Sequence, residues 1–97
     1  MALIDRVKTS LRVSASAFDD EISDLIAAAR QDLILSGVLS AKANDETDAL
    51  MTRAITVYVK AHFGYDNPDH ERLLTAYDML KSHLTLAGDY TLEAETI

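Results

Sequence analysis

The sequence predicts an all-α domain, a compact bundle of about four helices followed by a short extended C-terminal tail. Three observations carry that expectation. Apolar residues recur at spacings of three and four in successive stretches. Glycine and proline are scarce, and Gly37, Gly64, Pro68 and Gly88 each stand where a helix should start or stop. Acidic residues gather just ahead of the apolar runs, where the positive end of a helix macrodipole favours them. At 97 residues the chain has room for one domain. The expected division is a helical domain over residues 1–88 and a tail over residues 89–97.

The first helix is expected over Ala2 to Arg12, where Leu3, Ile4, Val7 and Leu11 form one apolar stripe. Arg6, Lys8 and Arg12 make it the basic part of an otherwise acidic chain. Ser14 to Ala17 reads as a small-residue connection. The second helix, about Asp20 to Ser36, has Ile22, Leu25, Ile26, Ala29 and Leu33 on one face and ends where Gly37 can take a positive φ. Val38 to Asn44 reads as a polar loop.

A third helix opens on Asp45, Glu46 and Asp48 and runs to Phe63, closed by Gly64. It is apolar around most of its circumference, with a narrow polar stripe of Arg53, Thr56 and Lys60. Such a helix is buried on several sides. Either it is the central core helix, or the face bearing Met51, Ile55, Val59 and Phe63 meets another subunit, since obligate interfaces resemble a divided core. Asn67 and Pro68 mark the start of the fourth helix as N-cap and first helical residue. Leu73, Tyr77, Leu80 and Leu84 supply its stripe. Beyond Gly88, Tyr90, Leu92 and Ala94 alternate with polar residues, as in a frayed tail or in a strand awaiting a partner's sheet edge.

Composition narrows the function. With 16 acidic against 9 basic residues the net charge is −7, which opposes the phosphate contacts that DNA binding needs, and the third and fourth helices carry too few cations for a helix-turn-helix reader. No cysteine is present, which removes disulfides and thiolate metal sites. No leader and no membrane-length apolar run is visible, so a soluble, unexported protein is expected. The run Asp19, Asp20, Glu21 and Asp24 could suggest divalent metal, with Asp45 in a second set. On a helix only Asp20 and Asp24 share a face. Acids open three of the expected helices, so the macrodipole explains the pattern without an ion. His62, His70 and His83 lack metal-ligand spacing, and no nucleophile sits in a strained glycine-flanked turn. No enzyme activity, cofactor or metal is expected.

The order of motifs goes further. The runs "LIDRVKTSLRVSASAFDDEISDLIAAARQDLILSGV" and "AITVYVKAHFGYDNPDHERLLTAYDMLKSHLTLAGDY" resemble the head–tail connector (adaptor, or DNA-packaging) proteins of tailed bacteriophages, the HK97-type family often encoded in prophages. The likeness covers about Leu3 to Tyr90. Its most specific pieces are Asp20 to Ala29, Ala54 to Tyr58, Phe63-Gly64 and Tyr77 to Lys81; the stretch from Ser40 to Glu46 departs most.

The resemblance implies an all-α subunit of the virion head–tail junction, made in the host cytoplasm. It would assemble with itself into a ring beneath the portal, extend the channel through which double-stranded DNA passes without sequence-specific binding, and dock head-closure and tail proteins, with no membrane partner. Met51, Ile55, Val59 and Phe63 are then the candidate subunit interface. Tyr90, Leu92 and Ala94, in the tail, are the candidate portal-docking arm. A small helical adaptor or regulatory domain that binds one partner through the third helix stands as the alternative. A metal-dependent enzyme using Asp20, Asp24 and Asp45 is a third reading.

Overall fold

The computed structural model describes residues 2–64 and 67–91. Its order is α1 (Leu3–Leu11), a 3₁₀ turn (Ser16–Phe18), α2 (Asp19–Leu35), α3 (Ser40–Ala43), α4 (Ala49–His62), α5 (His70–Leu86) and α6 (Gly88–Thr91). All regular structure among the described residues is helical. The four long helices fall within one to four residues of their expected bounds, the largest difference being at the start of α4, which begins at Ala49 rather than Asp45, and the all-α expectation holds.

α4 is the axis of the bundle. α1 and α2 pack on it and on each other, while α5 packs mainly on α4 as the second arm of a helical hairpin. The expected stripes face inward: Leu3 and Val7 from α1, Ile22, Ile26, Ala29 and Leu33 from α2, and Tyr77 and Leu84 from α5 are buried. Met51, Ala54, Ile55, Val57, Val59 and Ala61 complete the core from α4. Each large aliphatic side chain so buried contributes about 1.5–3 kcal/mol relative to exposure.

The helix ends show why the chain turns where it does. At the end of α2, Gly37 has φ 118°, its N–H donates to the Ile34 carbonyl at 3.0 Å, and the Val38 N–H donates to Leu33 at 3.0 Å. This is a Schellman closure, with Val38 and Leu33 both buried against the core. α1 closes in the same pattern through Arg12, which takes φ 60° without being glycine. Holding a side chain in that region costs roughly 1–2 kcal/mol.

The acids expected to open the third helix divide their work. Asp48 is the N-cap of α4, accepting from the Met51 N–H at 3.0 Å. Asp45 accepts from the Thr47 N–H at 2.9 Å and from its hydroxyl at 2.5 Å. Glu46 reaches across the molecule: Oε1 accepts from the Leu3 N–H at 2.9 Å and Oε2 from Arg30 at 3.0 Å. A residue 43 positions away thereby caps α1, whose own N-cap, Ala2, offers no side-chain acceptor. These two bonds hold the Glu46 carboxyl below its usual range, the Leu3 N–H first and Arg30 second.

Three expectations are corrected. The stretch from Val38 to Asn44 is not wholly a polar loop, because it contains α3 and buries Val38 and Ala43. α5 begins at His70 rather than at Pro68, and its N-cap is Asp69 rather than Asn67, which instead closes an Asx turn ahead of the helix, its Oδ1 accepting from the Asp69 N–H at 3.1 Å. Its amide also ties back to α4, donating to the Lys60 carbonyl at 2.6 Å. The period of two after Gly88 does not produce extended chain at its start, since Tyr90 and Thr91 belong to α6. Leu92 and Ala94 lie outside the described residues.

Candidate assembly interface

Of the four residues expected at a subunit interface, Met51, Ile55 and Val59 are at most 1% exposed in the single chain. They are spent on the subunit's own core. The physical reason is that α1, α2 and α5 together cover α4, leaving Ala49, Leu50 and Arg53 near its start and His62 at its end open to water. Phe63, half-buried at the end of α4, keeps surface to offer. Its ring meets Phe18 edge to face at 5.5 Å. Phe18, from the turn before α2, is 43% exposed.

The candidate docking residue Tyr90 is tied to the body. Its carbonyl accepts from the Leu39 N–H at 2.8 Å, and its hydroxyl donates to Asp48 at 2.9 and 3.1 Å. Burial and the Asp48 carboxylate both push the Tyr90 hydroxyl pKa up. Lys42 lies over the ring at 5.8 Å. One carboxylate, Asp48, thus caps α4 and anchors α6.

Around this junction the fold leaves leucines in water. Leu35 is 78% exposed, Leu86 is 86% exposed, and Leu50 is also exposed. Leu35 lies four residues before Leu39, Leu50 two after Asp48, and Leu86 four before Tyr90. The hydrogen bonds that join Leu39, Asp48 and Tyr90 therefore bring the three leucines to the same end of the bundle. Sequence reasoning passed over them, because each reads as an ordinary helix-terminal leucine until the three termini are brought together.

The remaining polar clusters tie helices to one another. Asp32 of α2 accepts from the Tyr77 hydroxyl at 2.6 Å and from Lys81 Nζ at 3.1 Å, both on α5. Partial burial pushes the Asp32 carboxyl up, but the bonds from Tyr77 and Lys81 outweigh it and hold the group below its usual range. Burial, then the bond to Asp32, drives the Tyr77 pKa far above that of a free phenol. Across the α4–α5 turn, His62 and His70 stand 5.6 Å apart between ring centroids, and His70 Nδ1 donates to the Ala61 carbonyl at 2.5 Å. Burial first and His70 second lower the His62 pKa, against the opposing pull of Asp32.

The acidic run at the start of α2 is split in use. Asp19 receives Lys8 Nζ at 2.6 Å, which joins α1 to α2. Asp20, Glu21 and Asp24 point to water. Among the described residues no three His, Cys, Asp or Glu side chains come together as metal ligands, and no helix is long and apolar enough to cross a membrane.

Set against known proteins, the chain matches over residues 3–91 a family model described as phage connector protein. No curated protein and no solved structure matches it.

Proposed function

The chain belongs to the phage connector protein family, and we propose that it acts there as a purely structural subunit that assembles into a ring beneath the portal and carries the DNA channel toward the tail. The observation that carries this reading is the extent of the family match, residues 3–91, which takes in every helix among the described residues. A connector role and a place among the components of the phage particle follow from membership. The ring, the portal, the head-closure and tail partners and the passage of DNA are the proposal.

Two features support self-assembly. Leu35, Leu50 and Leu86 are exposed large apolar side chains at the same end of the bundle, and we take that end as one contact surface. A ring also needs heterologous contacts, in which two different patches of one subunit meet and the rotation closes. With Met51, Ile55 and Val59 committed to the core, Phe63 and the leucine end become the proposed contact surfaces. The net charge of −7, repeated around a ring, would give a wall that does not grip the polyanion passing through it. The segment after Thr91, including Leu92 and Ala94, is proposed to reach the portal, with α6 as its fixed base.

The test is electron microscopy of the purified chain mixed with a portal. Rings seated on the portal support the proposal; a chain that never associates with portal under any assembly condition sinks it.

A further inference from the structure

We infer that α1 exchanges between neighbouring subunits: in an assembly it leaves its own α2 and α4 and docks, with the same contacts, on those of the next copy. The inference rests on the ring proposed above and adds to it the manner of joining. The hinge is the first observation. α1 reaches the body through Val13 to Phe18, and every residue from Ser14 to Phe18 is exposed. Folding α1 back requires Arg12 at φ 60°, where its N–H donates to the Thr9 carbonyl at 3.1 Å and the Val13 N–H donates to Lys8 at 3.0 Å. Gly37 and Gly64 also take positive φ, but among the described residues Arg12 alone carries a side chain there. That steric penalty belongs to the closed form, so opening the hinge returns a factor of roughly 5–30 in the balance between the two forms. Hinges under strain invite exchange.

The contacts of α1 are the second observation, because all of them lie beyond the hinge. Leu3 and Val7 enter the core, the Leu3 N–H is capped by Glu46 at 2.9 Å, and Lys8 meets Asp19 at 2.6 Å. A second copy offers the same groups in the same geometry, so exchange alters the hinge alone. Drawn out, the five residues from Val13 to Ala17 span about 17 Å. That exceeds the length of the nine-residue α1 itself, about 14 Å at 1.5 Å per residue.

Concentration decides which form prevails. The short connection presents α1 to its own groove at an effective concentration on the order of millimolar, so the dilute chain stays closed. Subunits held side by side present a neighbour's groove at a comparable concentration, and there the strain at Arg12 tips the balance toward exchange. Passed in one direction from subunit to subunit, the exchange is a heterologous contact, and it closes when the ring closes.

The test is cross-linking, which reads the connection directly because the sequence has no cysteine of its own. Lys8→Cys with Asp19→Cys, treated with a short bis-maleimide, should give a covalently closed monomer when dilute and a ladder of covalent multimers when assembled on a portal. Assemblies seen by electron microscopy whose cross-links all fall within single chains would overturn the exchange and leave the ring intact. A chain that never assembles would end both. Two hinge variants, each carrying the cysteine pair, push the balance in opposite directions. Arg12→Gly removes the penalty of the closed form and should cut the multimer yield about fivefold or more. Arg12→Pro cannot take φ 60°, so it should form cross-links between chains even without a portal. An unchanged yield in the glycine variant, or a proline variant that stays monomeric, would each overturn the proposal.

Discussion

Tyr77 and Asp32, 45 residues apart, meet in a 2.6 Å hydrogen bond that joins α5 to α2 over the flank of α4. The hydroxyl sits at the end of a buried side chain and the carboxylate at the edge of solvent, where Lys81 shares it. Such a bond to a charged acceptor is worth about 1.5–3 kcal/mol, and the partial exposure of Asp32 argues for the lower end. Tyr77→Phe should therefore cost about 1.5 kcal/mol in urea denaturation, with the helical content of the native state retained.

The same pair gives stability a dependence on pH. Asp32 is held below its usual range when folded, so its contribution is complete above the unfolded carboxylate pKa and is lost as pH falls through the lower, folded value. Denaturation curves taken from neutral pH down into the acid range should show the wild-type chain losing more stability than Asp32→Asn, which no longer carries the titrating group.

His62 provides a second, independent titration. Its folded pKa is lowered by burial and by His70, so it should change protonation below the ordinary imidazole pKa in an NMR titration. His70→Gln should move that midpoint upward by removing the neighbouring positive charge. Asp32→Asn should move it downward, since the carboxylate pulls the other way.

Glu46 should prove a remote cap. Glu46→Ala removes the acceptor for the Leu3 N–H together with the Arg30 ion pair, and the expected cost is about 1 kcal/mol. Glu46→Gln retains a capping oxygen and should recover part of it. Hydrogen exchange at Leu3 separates the two roles, because it should accelerate in the alanine variant well beyond the change at core amides.

Two of the helix ends with positive φ, those at Arg12 and Gly37, should respond in opposite directions. Arg12→Gly relieves a side chain held at φ 60° and should raise stability by up to about 1 kcal/mol. Gly37→Ala places a Cβ at φ 118° with no neighbour within 4 Å, so its cost, about 1 kcal/mol, should come from the backbone alone. Chemical denaturation of both variants checks the contrast.

The four long helices were legible because periodic burial is a local property, written in the spacing of residues such as Ile22, Ile26, Ala29 and Leu33. What covers a helix is not local. α4 reads as apolar nearly all round whether its neighbours come from its own chain or from another, so Ile55 and Val59 could be placed at an interface by pattern and in the core by the structure. α3 and α6 span four residues each, too few to show a period, and they are held by contacts such as Leu39 with Tyr90 across 51 positions. The bond from Tyr77 to Asp32 did leave a trace in the sequence. A tyrosine in a buried stripe needs a partner for its hydroxyl, and α2 carries an acid in the turn before its end.

The central place of α4 also sets an order for the birth of the molecule on the ribosome. α1 and α2 are synthesised before the surface on which both of them rest, and their stripes have only each other until His62 has emerged. At about 5–20 residues per second, the stretch from Leu35 to His62 takes roughly one to five seconds of translation. Through that interval the nascent chain carries Ile22, Ile26 and Leu33 without the helix that will cover them, on the same helix whose first turns carry the exposed acids Asp20, Glu21 and Asp24.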